Sequence, residues 1–281
     1  MQKNASDEQW RLQKQAERDN ATSLQDAGIV MIATHPEVYM QYLEVQGDNP
    51  FYSPGNIALA MYQRPDVTQF GTREKWKTLG RSVMDSEAKN GFQIFSRASF
   101  GKGYILTPAY DISQTYGREV KAVHLENGTQ AMEDALKTVL NYSVVPVVID
   151  EGLDCPAYYD PEKMEVAINP AYPDNEAFAA IAAEVAHSRM HAKGVNTYYS
   201  RDECDLDAQS VSCILCRRFG IQREAPDLSR LGELYGGWTP QEVRQALDTV
   251  QDMGKKMGNS IDRNIAPPEH TRGSHTRRPE R

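Results

Sequence analysis

The chain has 281 residues, 40% of them hydrophobic, enough for one large domain or two modest ones with a real core. Its formal net charge of −8 argues against a generally basic nucleic-acid binder while leaving room for a local basic patch. No run approaches the ~20 apolar residues of a membrane span, and the polar start, Met1 to Glu8, holds no apolar signal core, so a cytoplasmic protein without a membrane partner is expected.

Residues 6–46 read as helix, opened by Ser6 with Asp7 and Glu8 in the first turn and restarted by Pro36 just after His35. Polar residues dominate up to Ser23; Ala27, Val38, Tyr39, Tyr42 and Leu43 then supply an apolar face. Ser53 caps the next helix with Pro54 at its first position, and Pro65 stops it. Residues 92–95 and 104–107 are strand-like, with Gly101 and Gly103 turning the chain between them. Residues 130–140 are amphipathic, residues 144–149 form a β-branched strand, and residues 157–161 and 165–170 pair as a hairpin. Asp174 or Asn175 caps a further helix that Gly194 ends. Two more helices span residues 202–219 and 240–261, and the Pro-, Arg- and His-rich residues 266–281 read as a disordered tail.

The four cysteines, Cys155, Cys204, Cys213 and Cys216, are sparse for a disulfide scaffold. Cys213 and Cys216 form C-x-x-C inside an apolar helical run and read as small core residues.

The helix ended by Gly194 carries the most informative pattern. A metallopeptidase helix places two His at i and i+4, with a Glu directly after the first, so that imidazoles and base face one metal. Here Glu184 and His187 hold such places, Ala183 fills that of the first His, and His191 offers a further i,i+4 pair with His187. Glu184, His187 and His191 share one helix face. The following helix offers Glu203, Asp205 and Asp207; with Asp205 turned inward, Ala208, Val211, Ser212 and Leu215 form a small apolar stripe for close packing. A catalytic zinc needs three such ligands and an open position for water, which a neighbouring Glu deprotonates.

Residues 51–103 hold eight basic residues against four acidic ones, interleaved with aromatics. Tyr52, Arg64, Arg73, Trp76, Lys77 and Arg81 are the candidates for single-stranded nucleic acid, cations tracking phosphates and rings accepting bases. A solvated basic face above an aromatic core fits the same composition.

Two resemblances are carried by these residues. Tyr159-Asp160-Pro161, residues 166–170, Glu184-x-x-His187-x-x-x-His191 and Asp205-x-x-Ala208-x-x-Val211-Ser212 together resemble the zincin-like domain of the ArdC and ImmA/IrrE type of metallopeptidase. The resemblance implies Glu184 as general base, with His187 and Asp205 as zinc ligands and a peptide or protein as substrate. Tyr52-Ser53-Pro54-x-Asn56, Gln63-Arg64-Pro65-Asp66-x-Thr68, Trp76-Lys77-x-Leu79-Gly80-Arg81 and Tyr110-Asp111-Ile112-Ser113-Gln114-Thr115 resemble the N-terminal domain of ArdC-type antirestriction proteins. That likeness implies single-stranded DNA binding and protection of mobile, conjugative DNA from restriction. The expected fold is α+β: N-terminal helices (residues 1–48), an ArdC-like domain (49–125), a zincin-like domain with a small sheet and several helices (126–265), and the tail. Ala183 leaves three arrangements open: a zinc site shifted onto His187, His191 and Asp205, a weakened site without catalysis, or a metal-free scaffold that docks other proteins.

Overall fold

The computed structural model describes residues 2–98, 103–192 and 199–266, with side chains from Glu8 onward. The turn expected at Gly101, the helix stop expected at Gly194 and residues 267–281 of the tail lie outside them. Helices α1 (Gln2–Thr34) and α2 (Pro36–Asp48) part at His35, where the fixed φ of Pro36 starts a new helix. Helix α3 (Pro54–Gln63) begins under its Ser53 cap, whose hydroxyl accepts from the Asn56 N–H at 3.3 Å, and is buried from Pro54 to Met61. It approaches α1 closely at Gly28, where a Cβ would lie 2.6 Å from the Ala58 carbonyl oxygen.

Strand β1 (Phe70–Thr72) leads into the short helix α4 (Arg73–Thr78) and strand β2 (Arg81–Val83). Strands β3 (Phe92–Arg97) and β4 (Tyr104–Asp111) include the two segments expected to be strand-like, and β5 (Thr115–Gly117) follows. One antiparallel sheet has the order β1-β4-β3, and β2 and β5 make a separate antiparallel ribbon. Strand β3 is an edge, yet its open side is not bare. Asn56 donates to the Phe95 carbonyl (2.8 Å) and accepts from the Phe95 N–H (2.9 Å). Gln63 treats Gln93 the same way, at 2.9 and 3.0 Å. Two side-chain amides of α3 thus complete the hydrogen bonds that a further strand would make. The Tyr110–Thr115 segment is anchored by a capping box: Asp111 accepts from the Ser113 and Thr68 N–H groups, and Gln114 accepts from the Asp111 N–H.

Helix α5 (Gln130–Leu140) buries Met132, Ala135 and Val139, as its period predicts. Strands β6 (Val147–Ile149), β7 (Ala157–Asp160) and β8 (Glu165–Ile168) form a sheet of order β6-β8-β7, with β6 parallel to β8 and β7 antiparallel to it. Helix α6 (Asp174–Ala192) packs on this sheet, and α7 (Arg201–Arg218) packs on α6. The fold is closed by the single turn α8 (Leu231–Leu234) and the long α9 (Pro240–Ile265), which has a complete capping box at Thr239 and Glu242. Asp174 and Asn175 do not cap α6: the helix includes both, and they bond instead to Gly128 and Asn127. The architecture is α+β, and its main apolar cluster runs from Ile29 through Val211 to Ile261.

Candidate functional site

Helix α6 is apolar nearly all round, so its middle is buried on every side. Ala182, Ala183, Val185, Ala186, His187 and Ser188 are all at or below 1% exposure, which places the polar members where every hydrogen bond must be supplied by protein. The inner stripe of α7 is small and buried, as expected from Asp205 turned toward α6: Ala208, Val211, Ser212 and Leu215 are fully covered. Ser212 ties the two helices by donating to the Ala179 carbonyl at 2.7 Å.

Glu184 is buried and saturated with donors. Its Oε1 accepts from Nη2 of Arg201 at 2.6 Å, and its Oε2 accepts from Nη1 at 3.0 Å and from the Tyr159 N–H at 2.7 Å. This is a bidentate, charge-assisted pair, and strand β7 contributes a third bond to it. The same guanidinium donates to the Tyr159 carbonyl and lies over the Tyr158 ring, 4.7 Å from its centroid. Burial works against the charge of Arg201, and the Glu184 carboxylate more than offsets it, so the guanidinium pKa rises.

His187 and Asp205 meet. Nε2 of His187 and Oδ1 of Asp205 are 3.2 Å apart, and Nδ1 of His187 is 2.9 Å from the Tyr199 hydroxyl. The His187 bond holds the Asp205 carboxyl below its usual range. His191 turns elsewhere: its Nδ1 is 2.7 Å from the Tyr159 hydroxyl, and its ring stacks on Tyr199 at 4.5 Å. Tyr159 and Tyr199 cross at 5.9 Å and 81°, closing an aromatic box around both imidazoles. A groove of about 800 Å³ opens beside this network, bordered by Cys155, Ala157, Ala180, Ala183, Glu184 and Asp205.

The fit of a metal ion follows from this donor set. The His187–Asp205 separation is that of two ligands on one tetrahedral ion, about 3.3 Å for bonds of about 2.0 Å, and Tyr199 holds the other ring nitrogen as an outer partner would. A third ligand is what the arrangement lacks: Ala183 supplies no donor atom, His191 is bound to Tyr159, and Glu184 is held by Arg201. Among the described residues no three His, Cys, Asp or Glu side chains gather into a metal-holding group. The residues present do not fit a resident zinc or manganese ion.

The basic segment is largely bound into its own fold. Trp76 is fully buried and donates to the Tyr110 carbonyl. Tyr52 stacks on Phe70 at 4.6 Å, beneath the Lys75 ammonium. Arg64 pairs with Asp66, Arg73 reaches Ala88 and Tyr110, and Arg81 holds Thr115 and the Arg118 carbonyl. Lys77 is exposed. Next to it the β2–β5 ribbon presents Tyr116, 61% exposed, opposite Ser82, followed by the exposed Arg118. Gly80 joins the two: its N–H bonds to the Lys77 carbonyl and its own carbonyl accepts from the Arg118 N–H. Sequence reasoning passed over Tyr116, Tyr199 and Arg201. The first sits in a three-residue strand and the others precede or begin a helix, so no periodicity marks them.

No protein-family model and no curated protein matches this chain. Among the solved structures that resemble it are two of the antirestriction protein ArdC from plasmid R388. The metal-free form has a TM-score of 0.45 and 14% identity, covering 76% of this chain and 85% of that one. The Mn(II)-bound form has a TM-score of 0.48 and 15% identity over the same shares.

Proposed function

We propose that this chain is an ArdC-like antirestriction protein of a mobile element that binds single-stranded DNA through its N-terminal half and uses its zincin-like half as a non-hydrolytic scaffold. The order of the motifs from Tyr52 to Asp205 supports the family reading. The observation that carries the DNA reading is the β2–β5 ribbon with its exposed Tyr116 ring, and the exposed Lys77 and Arg118, whose backbones are tied together through Gly80 at the end of that ribbon. A ring face accepts any base and the cations follow the phosphates, so binding is sequence-tolerant and falls with salt. In the other half, Glu184 is bound by three donors and is not free to take a proton from water.

The test is fluorescence anisotropy of a labelled oligo-dT strand over a salt series. Affinity is expected to fall linearly in log–log form with salt. Lys77→Ala lowers that slope by roughly 0.7, and Tyr116→Ala weakens binding at all salts by roughly 5- to 150-fold, the worth of one base stack. Binding without a salt slope, or unchanged by both substitutions, refutes the proposal.

A further inference from the structure

We propose that Arg201 supplies, from within the chain, the positive charge that a metallopeptidase helix of this pattern takes from solution as a metal ion. The inference concerns the other half of the molecule and does not depend on DNA binding.

Two observations converge on the guanidinium. It meets both carboxylate oxygens of the buried Glu184 in a fork, at 2.6 and 3.0 Å. It is fixed by two further contacts with strand β7, the Tyr159 carbonyl and the Tyr158 ring. Around it the donor set is two-thirds of a metal site: His187 and Asp205 stand at ligand-like separation, and Ala183, whose side chain borders the same groove, leaves the third place without an atom. A carboxylate in this position needs a cation, because an uncompensated buried charge is strongly unfavourable. The fork geometry answers that need with a cation that no chelator removes. It also opposes metal entry, since a dication at His187 and Asp205 would feel the repulsion of the guanidinium as well as the lack of a third ligand.

Zinc titration after chelator treatment, by elemental analysis and calorimetry, tests this on the full chain. The parent protein is expected to hold no stoichiometric zinc, and its Tm to be the same with chelator and with one equivalent of zinc. Ala183→His returns the third donor. If Arg201 is the resident cation, zinc binds Ala183→His/Arg201→Gln at least tenfold more tightly than Ala183→His alone, because the competing charge is gone. Equal affinity in those two variants overturns the proposal, as does stoichiometric zinc in the parent with a fall in Tm on chelation. Where the double variant does not fold, Ala183→His/Arg201→Lys, which keeps the charge, is compared with Ala183→His/Arg201→Met, and equal zinc affinity in those two overturns the proposal.

Discussion

Replacing Arg201 with Met keeps most of the stem volume and removes the charge. Glu184 then remains with a side chain only 7% exposed and only the Tyr159 N–H as a partner. Breaking a buried ion pair from one side costs about 3–5 kcal/mol. The Arg201 side chain is 30% exposed, so water can reach part of the pair, and a discounted cost of about 2–4 kcal/mol is expected. At roughly 2–4 °C per kcal/mol for a chain of this size, Tm falls by about 4–16 °C. Adding Glu184→Gln removes the orphaned charge while its carbonyl can still accept from Tyr159, so the double variant Glu184→Gln/Arg201→Met recovers most of the loss. Denaturant melts at constant slope measure each corner of the cycle. A coupling energy below about 0.5 kcal/mol, the limit of additivity for independent sites, would mean that the pair is an accident of packing and the reasoning about a resident cation is wrong.

The Asp207 carboxyl is pushed up to about 6 from an ordinary 3.8 by burial, with only a 3.4 Å bond from Tyr235 in its favour. An acid raised on folding makes the ionised form unfavourable, so its cost is present above about pH 6 and fades as pH falls toward the unfolded value near 4. Asp207→Asn should therefore raise Tm at neutral pH, and the gain should shrink to nothing in acid; an equal gain at all pH values contradicts the assignment. Asn56→Ala opens the Phe95 N–H and carbonyl, and hydrogen exchange at Phe95 should quicken while β1 stays protected. Gly28→Ala forces α1 from α3 at a 2.6 Å approach and should cost about 1–3 kcal/mol by overpacking, read from the shift in denaturant midpoint.

The helices were legible because burial imposes a period on them. Residues 130–140 carry their apolar side at helical spacing and form α5 with those bounds. Pro36, Ser53 and Pro54 mark boundaries by local sterics and capping, and the structure breaks and starts helices there. The β2–β5 ribbon was not legible, since three-residue strands some thirty positions apart carry no pattern of their own. The site was half legible. Helical spacing put Glu184, His187 and His191 on one face, and an inward Asp205 was compatible with the small residues that share its helix face. Which of those side chains share an environment depended on Arg201 and Tyr199, which bond to the helix from outside its own run of residues. The motifs that suggested a DNA-binding domain tell a related story. Asn56, Trp76, Asp111 and Gln114 hold the fold to itself through capping boxes, edge bonds and a buried indole. They speak for architecture, and the exposed ribbon lies between them.

The two amides that α3 extends to β3 act as a ruler. Seven residues of helix cover about 10 Å, while the two residues from Gln93 to Phe95 cover about 6.6 Å; the inclination of helix to strand and the longer Gln63 stem must absorb the difference. Only one alignment satisfies both ends, so deleting or adding a residue between Asn56 and Gln63 would detach at least one end of the measure and turn the remaining helix face away from the sheet. An insertion in this half of the molecule is therefore expected to be tolerated only in connections outside the ruler.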